Sequence, residues 1–352
     1  MSQPPLAAQV TSDLRTLQGE VNALQAKVRL SGLRDQVGNL ETTATGLPQA
    51  VRDLRSAGYV FEKDLEERAA DLAQRWARLS PQITQQIESQ SAHLQMDMRS
   101  IEGQMRNVLS YTGDPVATQA RIKEVRAAVQ TLEGKVSATE RSIAGVFDQL
   151  QREFSTFTTH LKQLQWVLAQ GAETSFAWLQ GEAIIMAVEG TWVQGDKETK
   201  EDPKGILFLT DGRLVFEQKQ QVATKKVLFV ATQKTKVQKL LFEVPLTEVE
   251  NVTASDQGFL GHEDHVFVKV AHAGSRHLHI DGQDCKLWQG LITRAKAREF
   301  DLQRVGSSAA AQAPLKAAPD KCPNCGGKIT QKVQRGMDSV TCEYCGSVIR
   351  LQ

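Results

Sequence analysis

Apolar side chains recur every three and four residues through the first half of this chain, and that spacing restricts it to long helices packed along a seam. From Val10 the series runs Val10, Leu14, Leu17, Val21, Leu24 and Val28. Steps of four and three average 3.5, the repeat that keeps one stripe of a helix facing a partner. The stretch around Gly32 breaks the phase, and Leu33, Val37 and Leu40 resume it. Pro48 lacks a backbone donor and disfavours helix at Leu47. The spacing therefore predicts an N-terminal coiled-coil helix over 1–47.

Two further segments carry the same stripe. The first runs Leu65, Ala69, Leu72, Trp76, Leu79, then Ile87, Leu94, Met98, Ile101, Met105 and Val108, with Pro81 after Ser80 predicting a kink or a fresh start. The turn sequence Tyr111–Ala117 separates it from Ile122, Val125, Val129, Leu132, Val136, Ile143, Phe147, Leu150, Phe154, Phe157, Leu161, Leu164 and Leu168. Near Ile143 the repeat slips by one step, which disturbs a supercoil locally. Each arm is about 60 residues, or about 90 Å of helix. Two such arms joined by a short turn predict an antiparallel helical hairpin over 48–179. In the simplest reading the stripe is only core. Against it, a two-helix hairpin covers one side, and Phe147, Phe154, Phe157 and Trp166 suggest a further surface for a homo-oligomer. His93 and His160 are expected to be solvated.

The formal charge of the 352 residues is +1, so nucleic acid or membrane binding would need a local patch. Aromatic residues make up 6% of the chain, which suits helical rods. Four of the five cysteines fall in the last segment, against a disulfide framework. No basic region followed by an apolar run opens the chain, and no apolar stretch approaches the length of a bilayer span. A cytoplasmic protein is expected, with peripheral membrane attachment as the option a basic patch would open.

After Trp178 the periodicity alternates. The expected strands are "EAIIMAVEGTWVQ", the hairpin "GILFLTDGRLVFEQ" turning at Asp211-Gly212, then "KVLFVA", "VQKLLFEV", "LTEVENVTAS", "HVFVKVA" and "RHLHID". A closing helix places Leu287, Trp288, Leu291, Ile292 and Ala295 on one face, capped by Asp281 or Asp284. The hairpin "GILFLTDGRLVFE" resembles the opening of GRAM domains. With the Trp-bearing terminal helix, the stretch from Gly181 to Arg304 is similar to the PH-like superfold. That resemblance implies a β-barrel with a C-terminal helix plugging one end of a bent sheet over 180–304. It also implies loops at the other end that take phosphoinositides, other lipids or protein segments, and no catalytic machinery.

Between Glu217 and Glu243 lie Lys219, Lys225, Lys226, Lys234, Lys236 and Lys239 with no acidic residue among them. They are a candidate patch for an anionic membrane surface or, less readily, a phosphate backbone, since Phe229 and Phe242 sit in apolar strand runs rather than on a stacking surface. The plainer account is that they guard exposed strand edges. His262–His265 ("HEDH") lacks the spacing of a zinc protease. His277 and His279 share the outer face of their strand and are expected in solvent, with Leu278 and Ile280 in the core. Cys285 is expected to be packed and unreactive.

Small residues and two prolines make 305–320 a flexible linker. Beyond it Cys322, Cys325, Cys342 and Cys345 form two C-x-x-C pairs, each followed by a glycine, Gly326 or Gly346. Four thiolates close a tetrahedral shell with no open position, which makes the metal structural. The segment 321–352 resembles the zinc-ribbon family: "CPNCGG" and "CEYCGS" as knuckles, "KITQKVQ" and "SVIRLQ" as flanking strands. One zinc ion is expected, although four cysteines also suit iron. The fold class is thus multidomain α + β. No catalytic group is assembled in the sequence. A non-enzymatic scaffold follows, with a coiled-coil rod, a PH-like module docking on an anionic membrane or a protein partner, and a zinc-ribbon hook for protein. The alternative is a nucleic-acid-associated regulator using the lysines and the ribbon.

Overall fold

The computed structural model describes residues 6–227, 230–257, 263–305, 319–330 and 339–351, with the backbone alone for 221–235. The chain divides into two compact units, residues 1–50 with 66–159 and residues 51–65 with 160–352.

The first unit is built from α1 (Leu6–Lys27), α2 (Ser31–Ser56), α3 (Leu65–Leu109) and α4 (Pro115–Ala172). Cross-helix bonds fix their directions. Gln119 donates to Asp13, Arg126 pairs with Glu20 and Lys27 with Glu133, each separated by 106 residues, so α1 runs parallel to α4. Arg75 pairs with Glu153 and Lys135 with Asp97, so α3 runs antiparallel to α4. Trp76 Nε1 donates to Glu41 and Ser91 Oγ to the Val28 carbonyl, which sets α3 antiparallel to the first two helices. The expected hairpin of α3 and α4 is present, with α1 and α2 laid along it as a third layer. Asp114 caps α4, accepting from the backbone N–H groups of Val116 and Ala117, while Pro115 takes the first helical position.

Two prolines behave otherwise than the sequence suggests. Pro48 lies inside α2, which continues to Ser56, and Pro81 lies inside an unbroken α3. Each removes one intrahelical bond, but Leu47, Val51 and Leu54 around the first, and Trp76 and Ile83 around the second, are all buried. Burial of about 1.5–3 kcal/mol per large apolar side chain outweighs the lost bond. The break between α1 and α2 comes instead at Leu30, whose φ is 52°.

The aromatic surface expected to face a second copy is also covered from within. Phe147, Phe154 and Phe157 are buried. Trp76 meets Phe147 and Phe154 edge-on at 6.3 and 6.4 Å, and the Arg68 guanidinium lies 4.9 Å from the Phe157 ring centre. Trp76 and Arg68 lie on α3, so the hairpin itself covers these rings, and α2 is tied to them through the Trp76–Glu41 hydrogen bond. Trp76→Ala is expected to destabilise this unit by about 3–5 kcal/mol, read as an early urea transition in helical circular dichroism. Trp76→Phe, which keeps the ring contacts, should cost less.

The second unit holds β1 (Ile184–Val193), β2 (Lys204–Thr210), β3 (Arg213–Val227), β4 (Val230–Pro245), β5 (Val249–Gln257), β6 (Glu263–Val270), β7 (Gly274–Ile280) and α5 (Cys285–Lys296). The seven strands form one antiparallel sheet in the order β4-β3-β2-β1-β7-β6-β5. The barrel implied by the resemblance is not closed among the described residues: β4 and β5 are edges, and α5 packs on β5 and β6. The expected Asp211-Gly212 hairpin joins β2 to β3. "KVLFVA" is no separate strand; β3 and β4 run as one long hairpin to Val227↔Val230, with Leu228 and Phe229 outside the described residues. Gly190 and Gly205 pair across β1 and β2, and a Cβ on Gly205 would fall 1.9 Å from the Glu217 carbonyl oxygen. Only glycine permits that approach.

Asp284 caps α5 by accepting from the Lys286 N–H, and Trp288, Leu291, Ile292 and Ala295 are buried. Leu287 is exposed, and Cys285 takes the inward place instead. The same unit includes the connector after α2. Arg55 donates to the carbonyls of Tyr59, Phe61 and Glu62, Phe61 packs edge-on to Phe300, and the Val305 N–H donates to the Val60 carbonyl. His160 is not solvated as expected: it sits 2.7 Å from a Glu62 carboxylate oxygen and is half-buried. The linker lies outside the described residues from 306 to 318.

Candidate metal centre

The C-terminal segment is organised by two matching turns. In the first, Gly326 N–H donates to the Cys322 carbonyl and Cys322 N–H to the Gly327 carbonyl. In the second, Gly346 N–H donates to the Cys342 carbonyl and Cys342 N–H to the Ser347 carbonyl. Gly326 and Gly346 have φ of 73° and 70°, a left-handed conformation that favours glycine. The two turns are therefore the same knuckle built twice. Asn324 ties them together, its amide donating to Ser347 Oγ at 2.8 Å.

The knuckles bring all four thiols to one point. The Sγ atoms of Cys322, Cys325, Cys342 and Cys345 lie within 4.8 Å of one another. Two edges measure 3.7 Å (Cys322 to Cys345) and 3.6 Å (Cys325 to Cys342). Sulfurs arranged tetrahedrally at about 2.3 Å from an ion would be about 3.8 Å apart. The donor set thus fits a four-coordinate metal. The Ser347 hydroxyl and backbone N–H beside Cys345 pull its thiol down to about 6, whereas Cys325, despite the Gly327 N–H, is pushed up to about 12 by the neighbouring sulfurs.

Around the sulfurs there is very little else among the described residues. The buried side chains are Cys322, Val340, Cys342, Ile349 and Leu351, with Ile329 packed against them. Strand β8 (Ser339–Thr341) pairs with β9 (Val348–Arg350), the latter within the expected "SVIRLQ". The other expected strand, "KITQKVQ", shows one isolated bridge, Lys321↔Lys328, and continues outside the described residues from 331.

The candidate lysines divide between strands and faces. Lys219 on β3 is engaged, its Nζ 2.6 Å from Glu173 and 2.9 Å from Gln170. Lys236 and Lys239 are exposed on the edge strand β4, opposite Gln221 and Gln218, so they point to opposite faces. Lys225, Lys226 and Lys234 lie in the same hairpin, with side chains outside the described residues.

The histidines hold a feature that strand alternation alone could not show. Leu278 and Ile280 are core, as expected, but His277 and His279 are not simply in solvent. Both are half-buried and gather with the buried His265, whose Nδ1 is 2.9 Å from His277 Nε2 and whose ring stacks on His279 at 4.7 Å. The β1–β2 loop folds over them. A signal was present in the sequence, since β6 and β7 each place histidine on the outward register, but their pairing is tertiary. His262 lies outside the described residues.

Asp256, Asp264 and Cys285 also converge. There Asp256 is paired with Lys286, and burial, with the two carboxylates beside it, pushes the Cys285 thiol up to about 12. That thiol stays protonated and inert, as the sequence reading expects.

No protein-family model matches the chain, and no curated protein does. Among solved structures, the DH/PH domains of PDZ-RhoGEF in complex with GTP-gamma-S activated RhoA are similar at 11% identity and a TM-score of 0.27, covering 78% of this chain and 94% of that one. The DH/PH domains of p115-RhoGEF are similar at 13% identity and a TM-score of 0.21, covering 84% and 95%. Likenesses with TM-scores this low support no conclusion about fold or function.

Proposed function

We propose that the chain is a non-enzymatic scaffold in which the helical bundle gives spacing, the seven-stranded module docks, and a tethered zinc ribbon at the C-terminus holds a protein partner. The observation that carries this reading is the surface of the C-terminal module. A segment with so small a core still leaves Tyr344 and Val348 at 69% and 68% exposure. One exposed aromatic and one exposed aliphatic side chain beside a closed four-sulfur shell suit protein contact better than chemistry at the ion. Zinc is the ion that best fits four thiolates in two such knuckles. An antiparallel sheet ending in a buried Trp-bearing helix supports the PH-like resemblance, and with it a docking role.

For the sheet module, the ligand class that the Lys219–Lys239 hairpin favours is an anionic membrane. No helix among the described residues is long and apolar enough to cross a membrane, so attachment by this route would be peripheral. Each lysine near such a surface contributes about 1 kcal/mol, so Lys225→Glu with Lys226→Glu should weaken binding to phosphatidylserine vesicles by at least about thirtyfold. Sedimentation with those vesicles across a salt series is the measurement. Unchanged binding removes the membrane reading. A salt-sensitive gel shift with DNA that the same substitutions abolish would favour the nucleic-acid alternative.

A further inference from the structure

The outer face of β6 and β7 carries a cleft of about 710 Å³ roofed by the β1–β2 loop, with His265, His277, His279, Glu198 and Glu263 in its wall. His265 is the informative residue. Its side chain is 4% exposed, yet among the described residues its Nε2 has no hydrogen-bond partner. The atom faces the Glu263 carboxylate across 3.6 Å, too far for a hydrogen bond. Its other nitrogen is held by His277 at 2.9 Å. A buried polar atom left without a partner loses the full cost of desolvation unless something occupies the place beside it.

We propose that this cleft binds a divalent transition-metal cation, with His265 Nε2 and Glu263 as ligands and His279 or water completing the shell. Two ligands at about 2.0–2.2 Å from one ion stand about 3.0–3.5 Å apart, so the Glu263 carboxylate closes by a few tenths of an ångström at most. Imidazole nitrogens select zinc, nickel or copper over calcium and magnesium. The supports behind the ligands are of the kind metal sites use. His277 orients His265, and Glu198 holds His279 Nδ1 at 2.5 Å, as a carboxylate does behind a ligating histidine. The loop carrying Glu198 is itself pinned, because Asp202 accepts from the N–H groups of Gln194 and Thr199.

The test is a metal count on the full chain with its cysteine centre loaded. Titrated with Zn²⁺ alone, the wild type is expected to hold two equivalents, the second released first by chelator. With Co²⁺ the second equivalent should lack the thiolate charge-transfer absorption of the first. His265→Ala and Glu263→Gln should each lose that second equivalent and keep the first. Glu263 sits at the exposed start of β6, so its substitution decides the matter if His265→Ala disturbs the sheet. A wild type that stops at one equivalent, or a second equivalent that survives Glu263→Gln unweakened, overturns the site.

Discussion

Withholding metal from the four-cysteine centre is expected to unfold residues 319–330 and 339–351 while leaving the helical bundle and the seven-stranded sheet intact. The asymmetry follows from what each part has buried. The bundle and the sheet have continuous cores, whereas the described residues of the C-terminal segment bury two cysteines and three aliphatic side chains. A few tens of residues cannot offset their conformational entropy with so little apolar area. Binding a structural zinc contributes about 10–16 kcal/mol in comparable small modules, nearly all of it appearing as folding energy. Without the ion, four thiols packed 3.6–3.7 Å apart on two edges have no reason to stay together. Cys342→Ser should act like the chelator, since its sulfur is buried at the centre. Amide hydrogen exchange on the full chain reads both outcomes: protection should vanish across 319–330 and 339–351 and persist in α3, α4 and β1–β7. A segment that keeps its protection after the metal is gone would show that its fold rests on something other than the sulfurs.

That centre was the most legible part of the chain, because its signal is local. Ligand pairs with two residues between them, each followed by a glycine, state the knuckle without reference to anything distant. The heptad stripes were equally plain, and their buried positions match the spacing almost throughout. What the stripes could not give was the number of layers. Phe147 and Phe154 are covered by Trp76 of the partner helix α3, and it is the bond from that indole to Glu41 of α2 that reveals the added layer. Pro48 and Pro81 failed as stop signals for a related reason, since tertiary burial on either side outweighs one missing bond. In the sheet, alternation identified Leu278 and Ile280 as core but put His277 and His279 in solvent. Their half-burial comes from the β1–β2 loop, a contact no strand pattern encodes. Glu182 was invisible in the same way: a lone carboxylate near the start of β1 gives no hint of where its partner lies.

That partner is Arg213, and its removal should be the costliest single side-chain truncation in the sheet. Its Nε and Nη2 grip both oxygens of Glu182 at 2.8 and 2.9 Å, Nη2 also donates to the Ala177 carbonyl, and Nη1 pairs with Glu243. The guanidinium lies over the Phe176 ring. Glu182 in turn accepts from Thr210 Oγ1 and the Leu179 N–H. One ion pair thereby ties the segment entering β1 to the turn between β2 and β3 and to the edge strand β4. The side chains of Arg213 and Glu182 are only 5% and 2% exposed, so water cannot replace either partner. Arg213→Met keeps the apolar stem but leaves the Glu182 charge buried and uncompensated, which costs about 3–5 kcal/mol. The bulk of that loss belongs to the abandoned carboxylate rather than to the attraction itself. Adding Glu182→Gln, which removes the charge and keeps one of the two acceptor oxygens that serve Thr210 and Leu179, should therefore recover part of it. Chemical unfolding of the sheet by each single variant and the double variant separates the terms. A double variant less stable than Arg213→Met would mean that the pair acts through packing and that the orphaned charge contributes little.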